Sequence, residues 1–254
     1  MKSLAFSPDG SQLVSGFYAN NAVRIWNTTT GELQAELKGH TSSVESIAFS
    51  QDGSRIISGS RDNKVRIWNA ITGREEVKLI GHTGWVLSAA FSKDGAQVVS
   101  TSCDHTVRTW NATTGKAQAV LKGHTDWVRS AVFSQDGSTV VSASRDKTVR
   151  MWEVTTGKCQ LMAIGDTTLS LHGSVVRRIG NTRLNTRFHI IYPGQEPALW
   201  MSGDQQWIVG PLHDCWVPAY HRGFTSSAFW GNKMCLGYAS GRVVIFDMTS
   251  TIAE

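Results

Sequence analysis

Apolar and polar positions alternate in short runs through much of the chain. The stretches VESIAF (44–49), SRIISGS (54–60) and KVRIWN (64–69) have a period of two and are rich in Val and Ile. That pattern predicts β-strands with one face buried. GREEVKLI (73–80) supplies a weaker fourth strand. QDGS, RDNK and AITG, which fall between the runs, are turn sequences. The unit is therefore predicted to be four antiparallel strands. One such sheet cannot bury both faces alone, but copies stacked face to face can.

The unit recurs. His40, His82 and His124 each follow a Gly and stand 42 residues apart. Trp26, Trp68, Trp110 and Trp152 keep the same step. Asp-Gly recurs at Asp9, Asp52, Asp94 and Asp136, and Thr-Gly at Gly31, Gly73, Gly115 and Gly157. A period in this range is a mark of repeat architectures.

With the 42-residue step, Gly-His, Ser-x-Ser-x-Asp and Trp-Asn, the chain resembles the WD-repeat β-propellers from Met1 to about Ile164. The usual Trp-Asp reads Trp-Asn at Trp26, Trp68 and Trp110, and Trp-Glu at Trp152. The resemblance implies an all-β propeller of four-stranded antiparallel blades. It also implies a hydrogen-bonded tetrad of His, Ser, Asp and Trp in each regular blade. Carried over, the tetrads are His40, Ser58, Asp62 and Trp68; His82, Ser100, Asp104 and Trp110; and His124, Ser142, Asp146 and Trp152. In each, Asp would accept from one imidazole nitrogen, and Ser would bond the other and accept from the indole. A set that recurs three times in succession reads as architecture, not as a catalytic triad or metal site. The first unit lacks the Gly-His, has Asn20 in the Asp register and carries an extra residue in GFYANN, so its tetrad is expected to be absent.

Beyond residue 164 the repeated marks vanish. RFHIIY, ALWMSG, QQWIVG and DCWVPAY still read as strands. SSAFWGNKMCLGYASGRVVIFDM restores the rhythm, with Phe246 in the Trp position. Six blades are expected, with seven as the alternative. Neither end supplies the outermost strand that usually closes such a ring, so closure is expected to be incomplete. The expected organisation is one propeller domain over 1–254. Within it, 1–164 holds four regular repeats, 165–222 a degenerate region and 223–254 a final partial repeat. The C-terminal part also resembles WD-repeat proteins of mushroom-type fungi, which often carry an upstream NACHT-type domain of a STAND switch. No phosphate-binding Gly-x-x-x-x-Gly-Lys-Ser/Thr occurs here.

Composition narrows the class. Of 254 residues, 41% are hydrophobic and 18% charged, which fits a packed core and not a disordered chain. The net charge of +5 permits an anionic partner without requiring one. From Thr167 to Gln195 there are no acidic residues, but there are four arginines: Arg177, Arg178, Arg183 and Arg187. Cys103, Cys159, Cys215 and Cys235 match no zinc spacing, and scattered thiols suit a reducing compartment. The start resembles no signal peptide, and no apolar run has transmembrane length. A cytoplasmic location is expected, with the nucleus as the alternative. No cofactor or metal is expected.

The functional expectation is a non-enzymatic scaffold or ligand-sensing module with a protein or peptide partner, bound through the propeller face. Monomer is the favoured state. By the resemblance, the binding face takes Ser43, Glu45 and Arg61; Trp85, Leu87 and Cys103; and Trp127, Arg129 and Arg145. Trp85 and Trp127 share a register, and Trp and Arg are enriched at binding hot spots. The alternative is an anionic ligand, nucleic acid or phosphoinositide, held by surface arginines. No aromatic-interleaved RNA motif favours nucleic acid. In LHDC (212–215), His, Asp and Cys are adjacent on a strand pattern and cannot converge locally.

Overall fold

Every blade-like segment closes on itself before the next begins. The computed structural model describes residues 3–17 and 21–164, with side chains to residue 160, and eight short strands beyond. The first sheet is β1 (Ser3–Phe6), β2 (Gln12–Gly16), β3 (Val23–Asn27) and β4 (Leu33–Leu37), in that order. The second is β5 (Val44–Phe49), β6 (Arg55–Ser60), β7 (Lys64–Asn69) and β8 (Glu75–Ile80). The third is β9 (Val86–Phe91), β10 (Gln97–Ser102), β11 (Thr106–Asn111) and β12 (Ala117–Lys122). The fourth is β13 (Val128–Phe133), β14 (Thr139–Ser144), β15 (Thr148–Glu153) and β16 (Cys159–Ile164). All four are antiparallel meanders. No helix occurs among the described residues.

The turns explain the regularity. Gly10, Gly53, Gly95 and Gly137 of the Asp-Gly pairs adopt φ near +70°, a conformation that favours glycine. Before each glycine an Asp carboxylate accepts from a Ser two residues back, as in Ser50 Oγ to Asp52 Oδ1 at 2.5 Å. In the second turn Asn21, Asn63, His105 and Lys147 all take positive φ. An L-residue can hold αL as a single turn residue when the surroundings fix it.

Sheets pack in pairs. Val14, Val23 and Ile25 of the first meet Val44, Ile56 and Trp68 of the second in one buried cluster. Ile57, Val65 and Ile67 of the second meet Val86, Val98 and Trp110 of the third. Val99 and Val107 of the third meet Val128, Val140 and Trp152 of the fourth. The second and third sheets thus bury both faces by sitting between neighbours, as the strand pattern demands. First strands are neighbours around the stack: β1 beside β5, β5 beside β9, and β9 beside β13.

Beyond them lie β17 (Thr168–Ser170), β18 (Arg187–His189), β19 (Trp200–Met201), β20 (Trp207–Val209), β21 (Cys215–Trp216), β22 (Ser226–Trp230), β23 (Lys233–Gly237) and β24 (Val243–Asp247). They form two three-stranded antiparallel sheets and a parallel pair, β17 with β18. Every run that the irregular region offers as a strand coincides in part with one of these. The parallel pair does not follow from a hairpin pattern. The connection from Ser170 to Arg187 is long enough for the crossover that parallel strands need. Strand β22 lies beside β1. Among the described residues no fourth strand pairs with β24.

Candidate interaction face and the buried polar sets

The predicted His, Ser, Asp and Trp sets come together three times. His40 Nδ1 lies 2.9 Å from Asp62 Oδ2, and Nε2 lies 2.7 Å from Ser58 Oγ. Trp68 Nε1 donates to the same Ser58 Oγ at 2.8 Å. The second set has His82 2.7 Å from Asp104 and 2.8 Å from Ser100, with Trp110 donating to Ser100 at 2.8 Å. The third has His124 2.8 Å from both Asp146 and Ser142, with Trp152 donating to Ser142 at 2.7 Å. The roles follow from the inventory of donors. Ionised Asp only accepts, so Nδ1 carries the proton; Nε2 then accepts from the Ser hydroxyl, and Ser accepts from the indole.

This chemistry is spent on satisfaction of buried groups. Ser58, Ser100 and Ser142 are fully buried, and both the proton and a lone pair of each hydroxyl are engaged. Both imidazole nitrogens are occupied, so these rings have no lone pair for a metal. Burial pushes the Asp62 carboxyl up, but hydrogen bonds from His40, Thr41 and Lys64 outweigh it and hold the pKa at about 2. Asp104 and Asp146 are shifted down in the same way. Burial lowers His124 against the upward pull of Asp146, which keeps the imidazole neutral. Gly81, before His82, is closely packed. A Cβ there would stand 2.7 Å from Arg108 Nη1 and 3.1 Å from Trp110 Cη2.

The first sheet has no Gly-His to supply the ring. Half of the set persists: Trp26 Nε1 donates to Ser15 Oγ at 2.7 Å. A Ser and a Trp on paired strands make this bond without help from a His. Asn20 lies outside the described residues.

The second serine of Ser-x-Ser has its own task, which the sequence pattern did not disclose. Ser60, Ser102 and Ser144 donate to the carbonyls of Ser42, Gly84 and Asp126. The N–H groups of Arg61, Cys103 and Arg145 donate to the carbonyls of Ser43, Trp85 and Trp127 at 2.8–2.9 Å. Each loop before a first strand is thus clamped to the second turn of its own sheet. Register also shifts at Glu45, Leu87 and Arg129, each skipped by the pairing of the first strand. Such bulges re-aim side chains.

On these clamped loops the face assembles. Trp85 is 40% exposed and Trp127 half-buried. Their ring centroids are 6.2 Å apart with planes tilted by 52°, within the range of attractive aromatic pairs. The Arg61 guanidinium lies 4.3 Å from the Trp85 centroid. Those of Arg145 and Arg129 lie 5.1 and 5.7 Å from Trp127. Arg61 Nε also pairs with Glu45 at 2.6 Å, while Arg145 reaches Asp126 only at 3.8 Å. Leu87 and Cys103 are half-buried between these groups in sequence register. Burial raises the Cys103 thiol pKa, Arg129 lowering it less, so the thiol stays protonated and is a poor nucleophile.

Ser43 departs from the expectation. It is buried, 7% exposed, and not on the face. A serine at the Trp85 register is too short to rise above the loop. The Trp–Trp contact and the Glu45–Arg61 pair were not foreseen. The recurring Arg24, Arg66, Arg108 and Arg150, four residues that keep the 42-residue step, also escaped notice. A search for charged positions at that step finds them. Among the described residues no group of three or more His, Cys, Asp or Glu could hold a metal ion, and no helix is long and apolar enough to cross a membrane.

Four antiparallel sheets, each tied by a His–Ser–Asp–Trp set or a remnant of one, define a repeat protein built from WD-type blades. The model of the family described as WD domain, G-beta repeat (WD40) matches residues 1–27, 31–69, 73–111 and 115–153, more than half of the chain. The chain belongs to this family. No curated protein matched the chain in comparison.

Proposed function

We propose that this chain is a non-enzymatic scaffold or sensing module that binds a protein or peptide through the Trp85–Trp127 face. Membership of the WD-repeat family supports an interaction role in general. The observation that carries the reading is the pair of partly exposed indoles, 6.2 Å apart, on loops fixed by hydrogen bonds. Rigid aromatic anchors lose little entropy on binding, which is the advantage of preorganisation. In this reading the chain is a single monomeric propeller domain in the cytoplasm, and it would serve as the sensor of a STAND-type switch where one lies upstream.

The test is a pull-down from native cells, comparing the wild type with Trp85→Ala, Trp127→Ala and the double variant. Trp127→Ala is expected to weaken the captured partner by about 2 kcal/mol. Undiminished capture by the double variant overturns the reading. A second reading, an anionic ligand on Arg61, Arg129 and Arg145, is favoured by the three guanidinium groups around the indoles. It calls for binding that falls steeply with salt. Glu45 and Asp126 on the same face weigh against it.

A further inference from the structure

The repeat supplies its own comparison. Two seats recur on the face, the bulge residue of the first strand and the second-turn residue that clamps the loop. They hold Glu45 and Arg61 in the second sheet, Leu87 and Cys103 in the third, and Arg129 and Arg145 in the fourth. The same backbone therefore presents an ion pair, then a neutral apolar pair, then two cations.

We infer that the face is polar in direction: it takes a peptide whose acidic side chain lies over Arg129 and Arg145 and whose apolar side chain lies over Trp85 and Leu87. This rests on the reading of the face as a peptide-binding surface. In the second sheet Glu45 neutralises Arg61, whose guanidinium then spreads over Trp85. In the fourth the carboxylate seat is occupied by Arg129, and both guanidinium groups lie over one indole. The only carboxylate near them among the described ion pairs is Asp126, 3.8 Å from Arg145, with both side chains well exposed at 39% and 57%. Exposed pairs of that kind are weak. A ligand carboxylate would supply there what Glu45 supplies to Arg61, with the fork geometry that guanidinium groups favour. A polyanion laid across the face would instead meet Glu45 and Asp126. Those two carboxylates favour one local acidic group next to an apolar one.

Random twelve-residue peptides displayed on phage, selected on the full chain, test this. Selection is repeated on Arg129→Glu, which rebuilds the seat as the second sheet has it and is expected to fold. Arg145→Gln serves if it does not. The wild type is expected to enrich peptides with Asp or Glu at a fixed spacing from Leu, Phe or Trp. For a selected peptide, Arg129→Glu and a Glu→Gln change in the peptide should each weaken binding about tenfold, without adding. Peptides that lack an acid but still need Trp127 overturn the polarity and leave the peptide-binding face standing. Peptides indifferent to Trp85→Ala and Trp127→Ala, or no enrichment at all, overturn both. A labelled single-stranded 20-nucleotide DNA that binds more tightly than any selected peptide, and loses binding on Arg129→Glu, also overturns the inference.

Discussion

Asp104 holds together more groups than any single neighbour. Its carboxylate accepts from His82 Nδ1, from the N–H groups of Thr83 and Thr106, and from Thr106 Oγ1. Asp104→Ala orphans all four donors at once. Leaving buried donors unsatisfied costs about 1–3 kcal/mol. At about 2–4 °C per kcal/mol for a domain of this size, the melting temperature should fall by several degrees. An unchanged melt would mean that the set contributes nothing net. The same groups fix the response to acid. Asp62 titrates at about 2 when folded and at its ordinary value, 3.8, when unfolded. Its stabilisation is therefore full above the unfolded value and lost as pH falls toward 2. His124 is also lowered from its ordinary 6.5, and as a base it loses stability once pH drops below that value. Both signs point one way: thermal melts should show stability level near pH 7, declining below about 6.5 and more steeply below about 4. Asp62→Asn should remove part of the steeper loss.

Among elements, the third strands of the sheets carry an arginine row whose partners differ. Arg66 on β7 is buried and paired with Glu75 of β8. Arg24 reaches Glu36 at 3.5 Å. Arg108 on β11 instead has Ala117, which cannot form an ion pair, at the register of Glu75. Ala117→Glu should rebuild the pair and raise the melting temperature by about 1–4 °C, since a part-exposed pair is worth about 0.5–1 kcal/mol. A lower melting temperature would show that the Arg108 niche cannot accept a carboxylate. The first sheet supplies the reverse case. Trp26 keeps its bond to Ser15 but is only half-buried, whereas Trp110 is 1% exposed within a full set. Hydrogen exchange should therefore be faster for Val23–Asn27 than for Thr106–Asn111. Equal protection would mean that neighbours outside the set hold β3.

At the scale of the molecule, what was legible in the sequence tracks what local chemistry decides. Strands, turns and the polar sets follow from alternation, Asp-Gly and the 42-residue step, because each is settled within one sheet. Trp85 and Trp127 could be placed on one face by register, but not brought to 6.2 Å, which depends on how two neighbouring sheets pack. Ser43 was misplaced because register specifies a backbone position and says nothing of a side chain's reach. The parallel pair escaped because no periodic signal marks a crossover.

The neighbourhood of β22 and β1 has a kinetic consequence. Within the first four sheets every strand pairing closes over a short turn, and β1 meets β5 across roughly 40 residues. β22 meets β1 across roughly 220. Loop closure costs about 0.6 kcal/mol per doubling of length, so this contact costs about 1.5 kcal/mol more in chain entropy than the contact of adjacent sheets. Contacts between distant parts of a chain form late. Stopped-flow refolding followed by tryptophan fluorescence should then show a fast phase as sheets form and a slower one as the two ends meet. Cutting the chain after Ile164 should abolish the slow phase and spare the fast one; a slow phase that survives would assign it to some other step.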